Sequence, residues 1–280
     1  MRKVLLATTA LVALNVSAAS ADVSVGGSYN IEFRNSANDT TTYQDGNVVI
    51  TGSGSTDTGL SYTVKSDVSI WNAASDAGGN APAVEQSWLE IGGDFGSIRM
   101  GFGDTVYDRM DGVLAMNQDV EGEIAISTTD TAGSLDSDIV NVGYMAPKIG
   151  GLQIGVHLDV DNDKAGVAGT YSLGGVKAYY GVLDDETSYG VGTSLAGFGI
   201  NLGGYRNSGS TKKSANDIAV SYSMDNMKVV ALRQTGTSGT TKKTTETIGM
   251  KYTVGGLWLG LEAGDANGTS YSWLGIGASF

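Results

Sequence analysis

The chain contains no cysteine, so no disulfide framework supports it, and its fold must depend on hydrogen bonds and burial. Proline is almost absent, with two residues beside 42 glycines. Disordered chains tend to be rich in both residues, whereas glycine without proline suits strands in which every backbone N–H belongs to a ladder. The composition therefore favours an all-β protein.

Histidine and positive charge are also scarce. His157 is the only histidine, which excludes zinc motifs that need two. Asp159 shares its strand face, so a Ser-His-acid site is formally possible, but no nucleophile-elbow motif accompanies it and a polar wall residue is the simpler interpretation. Lys and Arg number 17 against 30 Asp and Glu, and nucleic acid binding needs a basic face. We expect neither an enzyme nor a nucleic-acid-binding protein.

No apolar run is long enough to cross a bilayer as a helix, which takes about 20 residues. Residues 4–16 form an apolar run that follows two basic residues and precedes an Ala-Ser-Ala segment at 19–21, as in a secretory signal peptide. We therefore expect residues 1–21 to be a cleaved signal peptide and residues 22–280 to be the mature protein. Losing the two basic residues takes the formal net charge from -13 to -15. Length alone leaves open whether the mature chain has one domain or two.

Apolar and polar residues alternate along most of the mature chain. In residues 23–34, for example, the apolar side chains are odd-numbered and the polar ones mostly even-numbered. This period predicts strands with one apolar face, although a soluble sandwich would produce it too. Turn signals give about sixteen strands, many near the ~9–11 residues of a membrane strand. The predicted spans are 23–34, 45–54, 59–72, 83–92, 97–103, 138–146, 151–161, 165–173, 176–184, 187–195, 199–208, 214–224, 227–236, 243–254, 257–265 and 269–280.

Alternate connections between these strands are tight, as at Gly174-Gly175 and Gly255-Gly256, and the others are mostly longer and more polar. Outer-membrane barrels have this layout, with short periplasmic turns and longer external loops. An even strand count places both termini on the periplasmic side. Residues 104–137 form a connection of 34 residues without a convincing strand, and a loop of that length in a compact domain indicates a function.

Three stretches carry a family likeness. Residues 88–101 read WLEIGGDFGSIRMG, residues 141–152 read NVGYMAPKIGGL, and the last strand closes on Phe280. They resemble, in that order, the hairpin before the third loop, the Pro turn after it and the C-terminal strand of Gram-negative general-diffusion porins. In two departures, Phe102 stands where many relatives carry Arg, and Ala278 stands where an aromatic residue is usual.

The resemblance implies an all-β fold, a transmembrane antiparallel β-barrel of about 16 strands in the bacterial outer membrane. Residues 104–137 would fold inward as the third loop and narrow a water-filled pore. It also implies a homotrimer and insertion by the outer-membrane barrel assembly machinery with Phe280 as the signal. We expect no cofactor, apart from the calcium considered below. The expected function is passive diffusion of small hydrophilic solutes and ions.

Charges of opposite sign are predicted to meet at the constriction. Between Asp104 and Asp138 the chain has nine acids and one Arg, whereas alternation turns several basic residues of the strands towards the lumen. An acidic loop facing a basic wall would set a transverse field and a mild preference for cations. The candidate loop acids are Asp104, Asp108, Asp111, Asp119, Glu121 and Glu123. The candidate wall basics are Arg34, Lys65, Arg99, Lys177 and Lys251.

Other interpretations of these charges stay open. The loop acids could form a solvated surface, or Asp108, Asp111 and Glu121 could bind calcium, as in some relatives, although their spacing is irregular. Lys212-Lys213 and Lys242-Lys243 fall in predicted external connections. There they could contact lipopolysaccharide phosphates or simply keep the loops soluble.

Three other functions compete with general diffusion. A substrate-selective porin would have the same fold. A barrel enzyme would need a clustered nucleophile and base, which the sequence does not show. A secreted β-solenoid or adhesin would also be rich in glycine and strands, but a solenoid requires a short fixed repeat, and we find none.

Overall fold

The computed structural model describes residues 22–36, 39–74, 82–115, 138–209 and 212–280, with backbone alone at 72–74. They form sixteen strands, and each strand pairs antiparallel with its neighbours in one closed barrel, as predicted. The strands are β1 (Asp22–Ser36), β2 (Asp39–Ser55), β3 (Ser61–Ala74), β4 (Ala83–Gly93), β5 (Gly96–Gly103), β6 (Ile139–Met145), β7 (Leu152–Asp159), β8 (Lys164–Leu173), β9 (Val176–Leu183), β10 (Glu186–Leu195), β11 (Phe198–Asn207), β12 (Lys213–Met224), β13 (Met227–Ser238), β14 (Thr241–Val254), β15 (Leu257–Ala266) and β16 (Thr269–Ser279).

The apolar face of the strands lies on the outside of the barrel. In β7, Val156 and Leu158 are exposed, while His157 and Asp159, on the other face, are buried. Across the described residues, forty large apolar side chains are exposed. A water-soluble sandwich would bury such a face in a core, so the outward apolar surface distinguishes a membrane barrel from a sandwich.

The barrel closes between its first and last strands. Tyr29 of β1 faces Ala278 of β16, and the backbones of Gly27 and Phe280 exchange two hydrogen bonds of 3.0 Å. Closure pairs the edge strands, which matters because an unpaired backbone group in hydrocarbon costs several kcal/mol. Phe280 therefore completes the seam through its main chain, while its side chain stays 78 % exposed.

Tight turns occur on both rims. The predicted two-residue turns at 174–175, 225–226 and 255–256 are present on the rim that holds the termini. The opposite rim also has two-residue turns, such as Asn267-Gly268, where both residues have positive φ as in a type I′ hairpin. The predicted alternation of loop length is therefore partial. The longest connections, between β3 and β4 and between β5 and β6, both lie on this opposite rim.

Helical structure is minimal in the described part of the chain. It comprises one 3-10 turn, Asp108–Met110. No helix among these residues is long and apolar enough to cross a membrane.

Candidate functional site

Residues 104–115, hereafter the loop root, leave β5 and run inward along the barrel wall. Val106, Tyr107 and Ala115 are at most 1 % exposed, and the loop root packs on inner-wall side chains that include Ala168 and Tyr179. The first twelve residues of the third loop thus fold inward, as the resemblance implied. Residues 116–137 lie outside the described residues.

Local hydrogen bonds set the direction of the loop root. The backbone N–H and the hydroxyl of Thr105 donate to Asp108 Oδ2 at 3.3 and 3.2 Å. After the 3-10 turn, the N–H of Leu114 donates to the carbonyl of Asp111 at 2.7 Å. These bonds satisfy polar groups that would otherwise be buried without partners beside the wall.

Glycines of the inner wall make room for the loop root. A Cβ added at Gly155 would lie 3.1 Å from Val106 Cβ, and one at Gly181 would lie 2.5 Å from Tyr107 Cε2. Carbon atoms pack at about 3.5–4.0 Å, so a larger residue would push the loop root off the wall. Similar approaches occur at Gly143, Gly190 and Gly192. The high glycine content therefore serves the loop as well as the strands.

Tyr107 anchors the loop root to β9 and β10. Its hydroxyl hydrogen-bonds the Ser188 hydroxyl, which in turn donates to the Tyr179 hydroxyl at 3.3 Å. The Tyr107 and Tyr179 rings meet edge to face, with centroids 5.6 Å apart. The Tyr107 hydroxyl is protonated at neutral pH, as tyrosine ordinarily is, and burial raises its pKa further.

Glu90 of β4 binds two arginines, and with Trp88 these residues form what we term the Glu90 cluster. Glu90 Oε2 accepts hydrogen bonds from Arg99 Nε at 3.0 Å and from Arg109 Nη2 at 2.6 Å. Arg99 faces Glu90 across the β4–β5 hairpin, whereas Arg109 belongs to the loop root. The Arg99 guanidinium also lies 3.8 Å from the centre of the Trp88 ring. One wall carboxylate therefore joins the barrel to its inward loop.

Three candidate loop acids lie in the described residues. Asp104 accepts a hydrogen bond from Gln86 Nε2 at 2.7 Å, and its Oδ2 lies 4.0 Å from Arg99 Nη1. Asp108 turns back to Thr105, and Asp111 caps the 3-10 turn. Asp119, Glu121 and Glu123 lie outside the described residues.

The calcium prediction stays a prediction. Among the described residues, no group of three or more His, Cys, Asp or Glu side chains could hold a metal ion. Asp108 and Asp111 belong to this part of the chain, but Glu121 does not.

Three of the candidate wall basics bind carboxylates of the wall itself. Arg34 Nη2 lies 2.7 Å from Glu32 Oε2, and Lys65 Nζ lies 3.3 Å from Asp67 Oδ2. Arg99 belongs to the Glu90 cluster. The sequence analysis predicted basic wall residues that face the loop, and the structure adds that these three also lie next to acids of the wall.

Lys177 and Lys251 have different surroundings. Lys177 lines a hollow of about 200 Å³ beside Gly112 and Val113 of the loop root. Lys251 Nζ lies 4.8 Å from the centre of the Trp258 ring. Among the wall basics, Arg99 therefore lies beside Asp104 of the loop root, Lys177 shares a hollow with it, and Lys65 reaches Asp104 through the Gln86 side chain.

Two buried carboxylates of the lumen wall, Glu32 and Glu262, were not among the candidate site residues selected from the sequence. Glu32 accepts a hydrogen bond from Trp273 Nε1 at 3.0 Å, and Glu262 accepts one from the Tyr271 hydroxyl at 3.1 Å. Glu32 stands two residues before Arg34 on the same strand, so the strand period could have identified it. No comparable signal connects Glu90 with the loop root.

His157 provides no support for catalysis. It is 3 % exposed, and neither ring nitrogen has a hydrogen-bond partner within the described structure. Asp159 instead accepts hydrogen bonds from the backbone of Asp161 and from the backbone and side chain of Asn162. The carboxylate that would orient the imidazole is thus used by its own turn.

Comparisons with known proteins agree with this geometry. A family model described as Gram-negative porin matches residues 7–280. Vibrio cholerae OmpT, solved in a trimer form, superposes with a TM-score of 0.76 at 12% identity, covering 93% of this chain and 100% of its own. Salmonella typhi OmpF in complex with daunomycin gives 0.78 at 12% identity, covering 92% and 97%.

An engineered variant of Rh. blastica porin gives a TM-score of 0.75 at 14% identity, covering 92% of this chain and 100% of its own. At such identities the structural matches establish the fold alone. A sequence search of functionally curated proteins finds no significant match.

Proposed function

The chain belongs to the Gram-negative porin family, and we propose that it forms a water-filled pore for passive diffusion of small hydrophilic solutes and ions, with a mild cation preference. The observation that carries the proposal is the buried loop root inside a closed sixteen-stranded barrel. A barrel of this size is too wide for its wall side chains to fill, so an inward loop narrows an aqueous path.

The cation preference rests on the charges of the loop and the wall. Nine acids and one Arg lie between Asp104 and Asp138, and that Arg, Arg109, is bound by Glu90. Arg34 and Lys65 are each within 3.3 Å of a wall carboxylate. Since these wall cations are offset locally, they leave the field of the loop acids largely uncancelled.

Conductance tests the channel itself. Purified protein added to a planar bilayer should give discrete, ohmic current steps, and liposomes that contain it should swell in small sugars faster than in large ones. Liposomes with heat-unfolded protein are the control. Absence of current steps from folded protein would refute the pore. A rate of liposome swelling that saturates with the concentration of one sugar would indicate a substrate-selective channel instead.

We further propose that the pore works without catalysis. In support, His157 is the only histidine of the chain, and the Asp159 carboxylate is engaged by its own turn. A pore that only holds a hydrated path open needs neither a nucleophile nor a cofactor.

Export and assembly complete the proposal. Residues 1–21 would be removed as a signal peptide, because an apolar run at 4–16 follows two basic residues and precedes Ala-Ser-Ala at 19–21. Phe280, exposed at the seam, would be read by the assembly machinery, and the mature chain would form a homotrimer. Mass spectrometry of the purified protein tests cleavage, and light scattering in detergent tests the trimer.

Lipopolysaccharide is the partner we propose for the external rim. Arg206, Lys212 and Lys213 line an open groove of about 440 Å³ together with the hydroxyl residues Ser214 and Thr237. Lysine, arginine and hydroxyl groups are the usual ligands of phosphate. One acid, Asp185, also lines the groove.

Binding of purified lipid A to the protein in detergent tests this contact. Arg206→Gln should weaken it at least threefold, and Lys148→Gln, which removes one charge on the opposite rim, should not. Equal affinity of the two variants would refute the groove as the contact.

A further inference from the structure

The Glu90 cluster concentrates charge where the inward loop meets the wall. The Arg99 and Arg109 side chains are 13 % and 15 % exposed, and both donate to the same Glu90 oxygen. Two guanidinium groups this close repel each other unless a carboxylate lies between them. Burial lowers the pKa of Arg109, the charge of Arg99 acts in the same direction, and Glu90 opposes both.

The cluster also fixes the position of the loop root. Arg109 is part of the 3-10 turn, and its contact at 2.6 Å joins that turn to β4, whereas Tyr107 joins the loop root to β9 and β10. Trp88 and Asp104 hold Arg99 from two further directions. Among the ion pairs of the described residues, Arg109 forms one, with Glu90, and Asp104 attracts it from farther away.

We propose that Glu90 determines the ion selectivity of the pore, by neutralising Arg109 and holding it against the wall. This inference rests on the proposed diffusion function and names the wall residue that sets its charge preference. With Glu90 neutralised, Arg99 and Arg109 keep only Asp104 as a nearby acid, so this part of the pore wall gains one net positive charge at the base of the acidic loop. Cations are then attracted less and anions more.

A charge at about 7 Å from the ion path changes the local ion concentration by roughly threefold in unscreened water, and salt at about 0.1 M reduces this. Because cations and anions shift in opposite directions, Glu90→Gln should lower the cation-to-anion permeability ratio by roughly threefold. The reversal potential across a tenfold KCl gradient at low salt measures that ratio.

Three further variants separate charge from structure. Glu90→Gln/Arg109→Gln restores the net charge and should return the permeability ratio to that of the wild type, although its loop root has lost the same contact. Glu90→Asp keeps the charge and should also retain the ratio. Glu246→Gln is the matched control, since Glu246 pairs with Arg233 at 3.2 Å on the exposed outer face, and it should leave the ratio unchanged.

Anchoring has its own readout. Brief closures in single-channel records should become more frequent in Glu90→Gln and in the double variant, because both free the loop root, and should stay at the wild-type level in Glu246→Gln. A Glu90→Gln channel with the wild-type reversal potential would overturn the proposal. So would a double variant that keeps the shift, because the effect would then be structural.

Failure of this inference differs from failure of the proposed function. If wild-type protein forms no channel, or prefers anions, the proposed function fails whatever the variants do. If the wild type is cation-selective and Glu90→Gln matches it, only the role of Glu90 fails.

Discussion

Gly181→Ala tests whether the loop root is held against the wall by close contact. A Cβ at this position would clash with the Tyr179 hydroxyl and would lie 2.5 Å from Tyr107 Cε2 and 2.8 Å from Tyr107 Cδ2. The ring is fully buried and cannot turn away freely. The substitution should therefore displace Tyr107, and with it the loop root, towards the lumen.

The magnitudes favour a measurable effect. Ordinary carbon contacts are about 3.5–4.0 Å, so the ring must move by about 1 Å. Overpacking of this kind costs about 1–3 kcal/mol, and loss of the Tyr107–Ser188 hydrogen bond adds about 1 kcal/mol. Alanine gains only about 0.5–1 kcal/mol over glycine in a strand. The variant should be less stable by about 1–3 kcal/mol and should conduct less.

Single-channel conductance and thermal unfolding in detergent are the measurements. Gly169→Ala is the control, because its added Cβ would meet nothing closer than 3.4 Å, and it should match or slightly exceed the wild type in stability. Unchanged conductance and stability in Gly181→Ala would refute the close packing of the loop root on the wall.

Three further predictions concern charge and assembly. Amide substitution of four loop acids together should shift the reversal potential towards anions, and a wild-type value would show that the loop does not line the constriction. The four acids are Asp108, Asp111, Glu121 and Glu123. Phe280→Ser should lower the amount of the protein at the cell surface. The purified variant should still refold in detergent, because the hydrogen bonds between residue 280 and Gly27 are main-chain. A normal amount at the cell surface would contradict the assembly role. Arg206→Gln should weaken lipid A binding at least threefold while leaving conductance unchanged, and a change in conductance alone would place Arg206 in the ion path.

Most of the barrel could be predicted from the sequence because strand period and turn residues are local signals. Fifteen of the sixteen strands lie within a few residues of their expected spans, and β2 is the exception. β2 begins at Asp39 where the prediction began at 45, because residues 40–43 carry no apolar alternation yet pair with the end of β1. Pairing to a neighbour, which the local pattern does not report, extended this strand.

The charged site was only partly predictable, for the same reason. The tight turn pairs Gly93 with Gly96, so the hairpin register alone could have placed Glu90 opposite Arg99. The loop root has no such period, and its path depends on side chains that fit against wall glycines. The contact of Arg109 with Glu90 therefore required the structure.

The reversal potential of the wild-type channel tests the central claim most directly. Across a tenfold KCl gradient at low salt it should lie on the cation-selective side. The preference should weaken as salt rises, because the screening length falls from ~10 Å at 0.1 M to ~3 Å at 1 M. A reversal potential at zero, or on the anion-selective side, would contradict an inward acidic loop as the element that governs the pore.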